Sequence, residues 1–324
     1  MIQYAIKKIL ALIPKLLIIT VLVFIGFELI PGDALQRTMD PSAYAELSEE
    51  QKEERREQLG LNDPAPVRYF RWIGGVAKGN LGYSVLNKAP VIDMLKARLP
   101  ATFALSILAL ALSTVLGLLF GFLAARYQNT WIDNTLTTVS LVGISVPSFF
   151  FGMIFILVVG IYLKCLPTGG QASVYDVTFF SKFRYLILPA ISMALLDTGT
   201  LVRFTRNSML DVMNKDYIKT GRAKGISERS VYIRHCFRNG CTPVIILLIN
   251  RIPTIVAGTV AIEAVYNYSG IGSLMLTAIN TADVQVAMSI LLLCSLAVLI
   301  ASFLCDIAVA ILDPRVTLGK EEGA

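Results

Sequence analysis

Long apolar runs separated by polar stretches dominate the chain, and they fall at 9–30, 100–125, 136–163, 186–204, 243–263 and 284–312. A helix rising about 1.5 Å per residue needs roughly 20 such residues to cross a hydrocarbon core of about 30 Å, and every one of these windows comes close to or exceeds that length. The pattern predicts an all-α polytopic membrane protein with six spans, in one domain over 1–324. The first run follows Lys7 and Lys8 as a secretory leader would. It is too long for a leader's apolar region and lacks a small-residue cleavage site, so it predicts a retained first helix.

The polar stretches set the orientation. Between spans four and five lie Arg206, Lys215, Lys219, Arg222, Lys224, Arg229, Arg234 and Arg238 against only Asp211, Asp216 and Glu228. Short loops rich in Lys and Arg stay in the cytoplasm, which places the segment 204–241 inside. Lys7, Lys8, Arg126, Arg315 and Lys320 then fall inside too, and the Lys/Arg-free loop 264–283 falls outside. Both termini are therefore expected to be cytoplasmic, and 31–99 becomes an extracytoplasmic insertion between spans one and two. Within it, 47–59 carries charges on nearly every face and precedes Gly60, the pattern of a solvated helix. That insertion is either a structural cap or a docking surface for a soluble partner.

Composition agrees: 55% of the 324 residues are hydrophobic and 16% charged, with a mean hydropathy of +0.65, which excludes a soluble domain of this size. The net charge of +6 sits mainly in the cytoplasmic segment and reads as a topology signal, not a nucleic-acid footprint. Five cysteines without paired spacing and a single histidine, His235, give neither a disulfide framework nor a zinc site. No phosphate-binding G-x-x-x-x-G-K-[ST] loop, HExxH or GxSxG occurs, so neither ATP hydrolysis nor an intramembrane enzyme is expected of this chain, and no catalytic residue is assigned.

Ionisable groups inside spans cost on the order of 3 kcal/mol at a helix centre unless they face protein or water. Asp197 and Arg251, with Asn250 beside it, either line a polar translocation path or form an interhelical ion pair. Glu28 and Asp306, nearer span ends, present the same choice. Pro147 and Pro189 each remove a backbone hydrogen bond from an apolar run and predict kinks. In the cytoplasmic segment, local rules give a short polar helix up to Lys224, a break at Gly225 and a second helix capped by Ser227. Tied at both ends to membrane helices, such an element transmits a rigid-body push.

This segment, Asp216-Tyr217-Ile218-Lys219-Thr220-Gly221-Arg222-Ala223-Lys224-Gly225-Ile226-Ser227-Glu228-Arg229 followed by Arg234-His235 and Arg238-Asn239, resembles the coupling loop of binding-protein-dependent ABC importer permeases of the peptide/nickel class. It departs from the broader Glu-Ala-Ala signature, with Lys219, Thr220 and Gly221 in its place. Further matches run along the chain: Ile30-Pro31-Gly32-Asp33, Gly79-Asn80-Leu81-Gly82, Arg98-Leu99-Pro100-Ala101-Thr102, Ser145-Val146-Pro147-Ser148-Phe149, Leu188-Pro189-Ala190, Glu263-Ala264-Val265-Tyr266, Gly270-Ile271-Gly272 and Leu312-Asp313-Pro314-Arg315. The resemblance implies the type I ABC importer permease fold and a path for di- or oligopeptides across a bacterial inner membrane, with nickel or another metal chelate as the alternative cargo. It also implies ATPase coupling through Asp216, Tyr217, Thr220 to Gly225, Ser227 and Glu228. The implied partners are a second homologous permease, two cytoplasmic ATPase subunits that bind the ATP and Mg, and an extracytoplasmic solute-binding protein. No cofactor or metal is expected in this chain.

Overall fold

The computed structural model describes residues 2–30, 32–33, 35–36, 39, 41–172, 178–251, 255 and 260–312. Four of its helices are long and apolar enough to cross a membrane: α1 (Ile2–Glu28), α5 (Val91–Arg126), α8 (Phe179–Met213) and a C-terminal helix, Val284–Leu312. A fifth crossing is a bent pair, α6 (Trp131–Ser145) and α7 (Ser148–Phe155). The latter continues into a π-helical stretch, Ile156–Tyr162. These account for five of the six apolar windows, and the sixth, 243–263, lies partly outside the described residues. So do Pro31, Arg315, Lys320 and the Asp313-Pro314-Arg315 motif.

The third window is not one kinked helix. Its two halves meet at 99°, because Pro147 has no N–H to continue the ladder and forces Val146 into an extended conformation (φ −98°, ψ 130°). Pro147 therefore separates two helices, whereas Pro189 stays inside the 35-residue α8. Two boundaries also move. Helix α5 begins at Val91 and α8 runs on to Met213, so the ends of both polar segments are helical extensions of spans. Hydropathy marks where a helix is in hydrocarbon, while the hydrogen-bond ladder continues wherever solvent can take the side chains.

Helices α5 and α8 form the heart of the molecule. Gly117 and Gly121 allow their close approach: a Cβ on either would stand 2.4 Å from Leu201 Cβ or 2.6 Å from Thr205 Cβ. Above this contact Leu105, Ala109, Leu188, Ala190 and Met193 pack with Ile262, Tyr266 and Tyr268. Numbering continues through the segment that follows α8: α9 (Asp216–Ala223), α10 (Glu228–Ser230), α11 (Arg238–Gly240) and α12 (Thr242–Ile249). Beyond these come α13 (Val260–Val265), α14 (Ile271–Asn280) and α15 (Val284–Leu312).

The insertion contributes α2 (Pro41–Ala45), α3 (Glu49–Gln58) and α4 (Ala65–Ala77). Helix α3 has no buried residue and starts with a reciprocal capping box between Ser48 and Gln51. It is tied down by Arg56, whose guanidinium donates to Asp33 at 2.5 Å. That bond, with the Leu35 N–H and the Tyr44 hydroxyl, holds the Asp33 carboxyl at about 2. Helix α4 lies on α1 through the Tyr69 and Trp72 rings against Phe24.

Candidate functional site

Helix α9 ends as its composition requires. Gly225 takes a left-handed φ of +77°; its N–H donates to Arg222 O at 2.9 Å and the Ile226 N–H donates to Gly221 O at 3.2 Å. These two bonds make a Schellman turn, which spends the last carbonyls of the helix and reverses the chain. Across the turn Arg222 grips Glu228 with two nitrogens, at 2.8 and 3.3 Å. Ser227 occupies the start of the next helix but its side chain makes no capping hydrogen bond, contrary to expectation, because the Arg222–Glu228 clamp and the turn already fix the entry. That helix runs from α10 through a π-helical stretch, Val231–Phe237, into α11.

The element is fastened to the bundle by a small core. Ile218, nearly fully buried, joins Val231 and Cys236 against Ala125 of α5 and Met209 of α8, with Phe122 and Phe237 around them. Arg126 lies over the Tyr232 ring at 5.2 Å, and Ser208 donates to Gly240 O at 2.7 Å. Asn239 donates to the Tyr217 hydroxyl at 3.4 Å, a long contact. Lys219 pairs with Asp216 at 2.9 Å and holds its carboxyl below the usual range. The remaining polar groups of α9 face outwards, and Tyr217 and Lys224 are exposed. Beside the element, Arg206 of α8 makes a two-pronged pair with buried Asp133 of α6 at 2.6 and 2.8 Å. This clamp ties α6 to the lower part of α8. The sequence offered no sign of it, since Arg206 read as one of many basic loop residues.

The four ionisable groups that the sequence singles out within spans, Glu28, Asp197, Arg251 and Asp306, are each paired. Arg251 meets Asp197 at 2.8 Å, Arg68 of α4 meets Glu28 at 2.5 Å and Lys8 meets Asp306 at 2.9 Å. Asn250 and Arg251 are not in mid-helix: α12 stops at Ile249, with exposed Asn250 as its cap. Among the described residues no cluster of His, Cys, Asp or Glu could hold a metal.

The most enclosed polar node was not singled out by sequence. Glu263 of α13 is fully buried. Its Oε1 accepts from Thr102 Oγ1 of α5 at 3.1 Å and its Oε2 from the Ser273 N–H of α14 at 2.8 Å. Thr102 Oγ1 in turn accepts the Ile271 N–H at 2.8 Å. Nearby, the Tyr266 hydroxyl shares a 2.7 Å bond with Ser192 and donates to Gly152 O at 3.1 Å. Three short motifs thus meet at one node, the Thr102 motif lying 161 residues from Glu263 and 169 from Ile271 along the chain. Their presence was visible, but not their junction.

Residues 117–318 match the model of the binding-protein-dependent transport system inner membrane component, and residues 1–106 match its N-terminal companion. The chain belongs to this family. It is 36% identical over 318 residues to the oligopeptide transport system permease protein AppB of Bacillus subtilis, covering 98% of this chain and 99% of that one. It is 33% identical over 316 residues to the glutathione transport system permease protein GsiC of Escherichia coli, again covering 98% and 99%. As an inner-membrane component the chain is a multi-pass permease subunit with the helical type I fold, not an enzyme, and ATP hydrolysis belongs to separate subunits.

Proposed function

We propose that this permease subunit, with a second homologous permease, forms the path by which di- or oligopeptides released from an extracytoplasmic binding protein cross a bacterial inner membrane. Two cytoplasmic ATPase subunits, which bind ATP and Mg, drive the cycle through α9 and the Gly225 turn. The observation that carries this reading is the mechanical build of that element: a helix, a Schellman turn and a second helix, clamped by Arg222–Glu228 and rooted by Ile218 on both α5 and α8. A push on its exposed residues is delivered to two spans at once. Transport then follows from differential stabilisation of two states, with no chemistry in this chain. Peptide as cargo is supported by the names of the relatives. Asp197, Asn250 and Arg251 supply polar groups to the path, the ion pair keeping its charges compensated in a low-dielectric region.

The orientation that goes with this function has both termini and Gly225 in the cytoplasm and α3 outside. Single cysteines at Ser48 and Ser227 in a background free of the five native cysteines test it: impermeant reagent added to intact cells should label only position 48, and labelling at 227 would overturn it. The function is tested by reconstituting the complex in liposomes with binding protein and ATP. Uptake of labelled peptides is expected; uptake of a nickel chelate with none of peptide would replace the peptide reading.

A further inference from the structure

A polar cavity of about 240 Å³ opens at the end of α5 remote from the coupling element, lined by Arg98 of α5, Asn87, Asn267 and, on α14, Ser273 and Thr277. Arg98 makes no hydrogen bond or ion pair among the described residues, unlike the ionisable groups singled out within the spans. Its charge acts on Glu263, but that carboxylate already accepts from Thr102 and Ser273. The acid that lines the cavity, Asp283, is buried and engaged by the Ser84 hydroxyl at 2.5 Å and the Val286 N–H at 3.4 Å. A half-buried guanidinium therefore faces a concave space furnished with hydroxyl and amide groups but has no anion of its own to meet. Guanidinium presents a planar fork of donors that matches a carboxylate with two parallel bonds. The cavity is also held in shape from below, because Ser273 of its wall is the residue whose N–H Glu263 binds.

We infer that this cavity is a cargo subsite in which Arg98 receives the C-terminal carboxylate of the transported peptide, with Asn87, Asn267 and Thr277 available to the adjoining peptide group. The inference rests on the peptide reading above and adds to it a residue and a chemical requirement: cargo must carry a free carboxylate at one end.

Uptake into liposomes containing the whole complex, with binding protein equally loaded with a peptide or its C-terminally amidated form, separates the possibilities. The wild type should transport the free acid about tenfold faster than the amide, the worth of one charge-assisted hydrogen-bond pair. Arg98→Gln should abolish that preference by slowing the free acid alone, and Arg98→Lys should retain part of it. Equal slowing of both peptides, with weaker docking of the binding protein, would assign Arg98 to docking and overturn the inference; so would an unchanged preference in Arg98→Gln. Should Arg98→Gln lower the amount of assembled complex, Thr277→Val provides the second arm: having lost a group for the adjoining peptide bond, it should slow both peptides while keeping the preference for the free acid, and unchanged uptake of both would count against the subsite. Failure of the wild type to transport either peptide would sink the peptide reading itself, an outcome distinct from transport without discrimination.

Discussion

At its C-terminal end α5 meets the 216–240 element through an apolar cluster and the contact of Arg126 with the Tyr232 ring, whereas near its N-terminal end it meets α13 and α14 through a fully buried carboxyl group. The first junction is built from non-directional contacts around Ile218, Met209 and Phe122, which survive small displacements because apolar burial depends on area and not on angle. The second is directional: Thr102, Ser273 and Glu263 satisfy one another only in one arrangement, and any partial separation leaves buried polar groups without partners. The difference teaches where this bundle can give. Motion entering at α9 can be accommodated at one end of α5 while the other end resists it.

The largest expected effect comes from breaking the directional junction. Replacing Glu263 by Ala orphans the Thr102 hydroxyl and the Ser273 N–H and opens a cavity, at a cost of about 3 to 5 kcal/mol. Glu263→Gln, which keeps an acceptor, should cost less. The thermal midpoint of the assembled complex in detergent should fall in that order; equal midpoints would show the node to be dispensable. Next in size is Asp133→Ala, which strips Arg206 of its partner and should cost about 2 kcal/mol. It should loosen α6 from α8, seen as faster amide exchange over 131–145 than in the wild type.

At the coupling junction the effect on stability shrinks while the effect on function does not. A Cβ at Gly225 would meet no atom within 4 Å, so Gly225→Ala pays only for its left-handed backbone, roughly 1 kcal/mol, and Gly225→Val somewhat more. Assembly should be retained, with hydrolysis no longer stimulated by loaded binding protein in the Val variant. Normal stimulation and uptake there would remove the turn from the coupling path. The smallest effect concerns the insertion. The Asp33 carboxyl is held at about 2, below the ordinary 3.8, so its bond to Arg56 favours docking of α3 fully above pH 3.8 and is lost as pH falls through about 2. Pepsin should spare the bonds at Leu47 and Leu59, which flank α3, at pH 4 and cut them near pH 2. Arg56→Gln should move that onset to higher pH.

Much of the coupling element was legible because its determinants lie within a dozen residues. Gly225 after a polar helix specifies a left-handed stop, and Asp216 to Glu228 resembles the family's loop nearly throughout. The missing Ser227 cap shows the limit even there: whether a cap is used depends on what else, here Arg222 on Glu228, already fixes the chain. Among the candidates for the path, Asp197 and Arg251 were visible as charges in apolar runs, and pairing was one of the two readings open. That Arg251 follows the end of α12 was not visible, because hydropathy is indifferent to whether an apolar run is one helix or two.

What the sequence by itself determined is the solvent of each segment: which runs are apolar enough for lipid, which loops carry the basic charge, and where Gly225 stops a helix, all consequences of transfer free energy and backbone sterics acting locally; which proline breaks its helix, Pro147 and not Pro189, was left to the packing. Only the tertiary structure decided which distant polar groups share one another's hydrogen bonds. Thr102, Glu263 and Ser273, or Asp133 and Arg206, reveal nothing in isolation about their partners, because a donor's need to be satisfied is a property of the residue while the acceptor that satisfies it is chosen by the packing of α5 against α8 and α13.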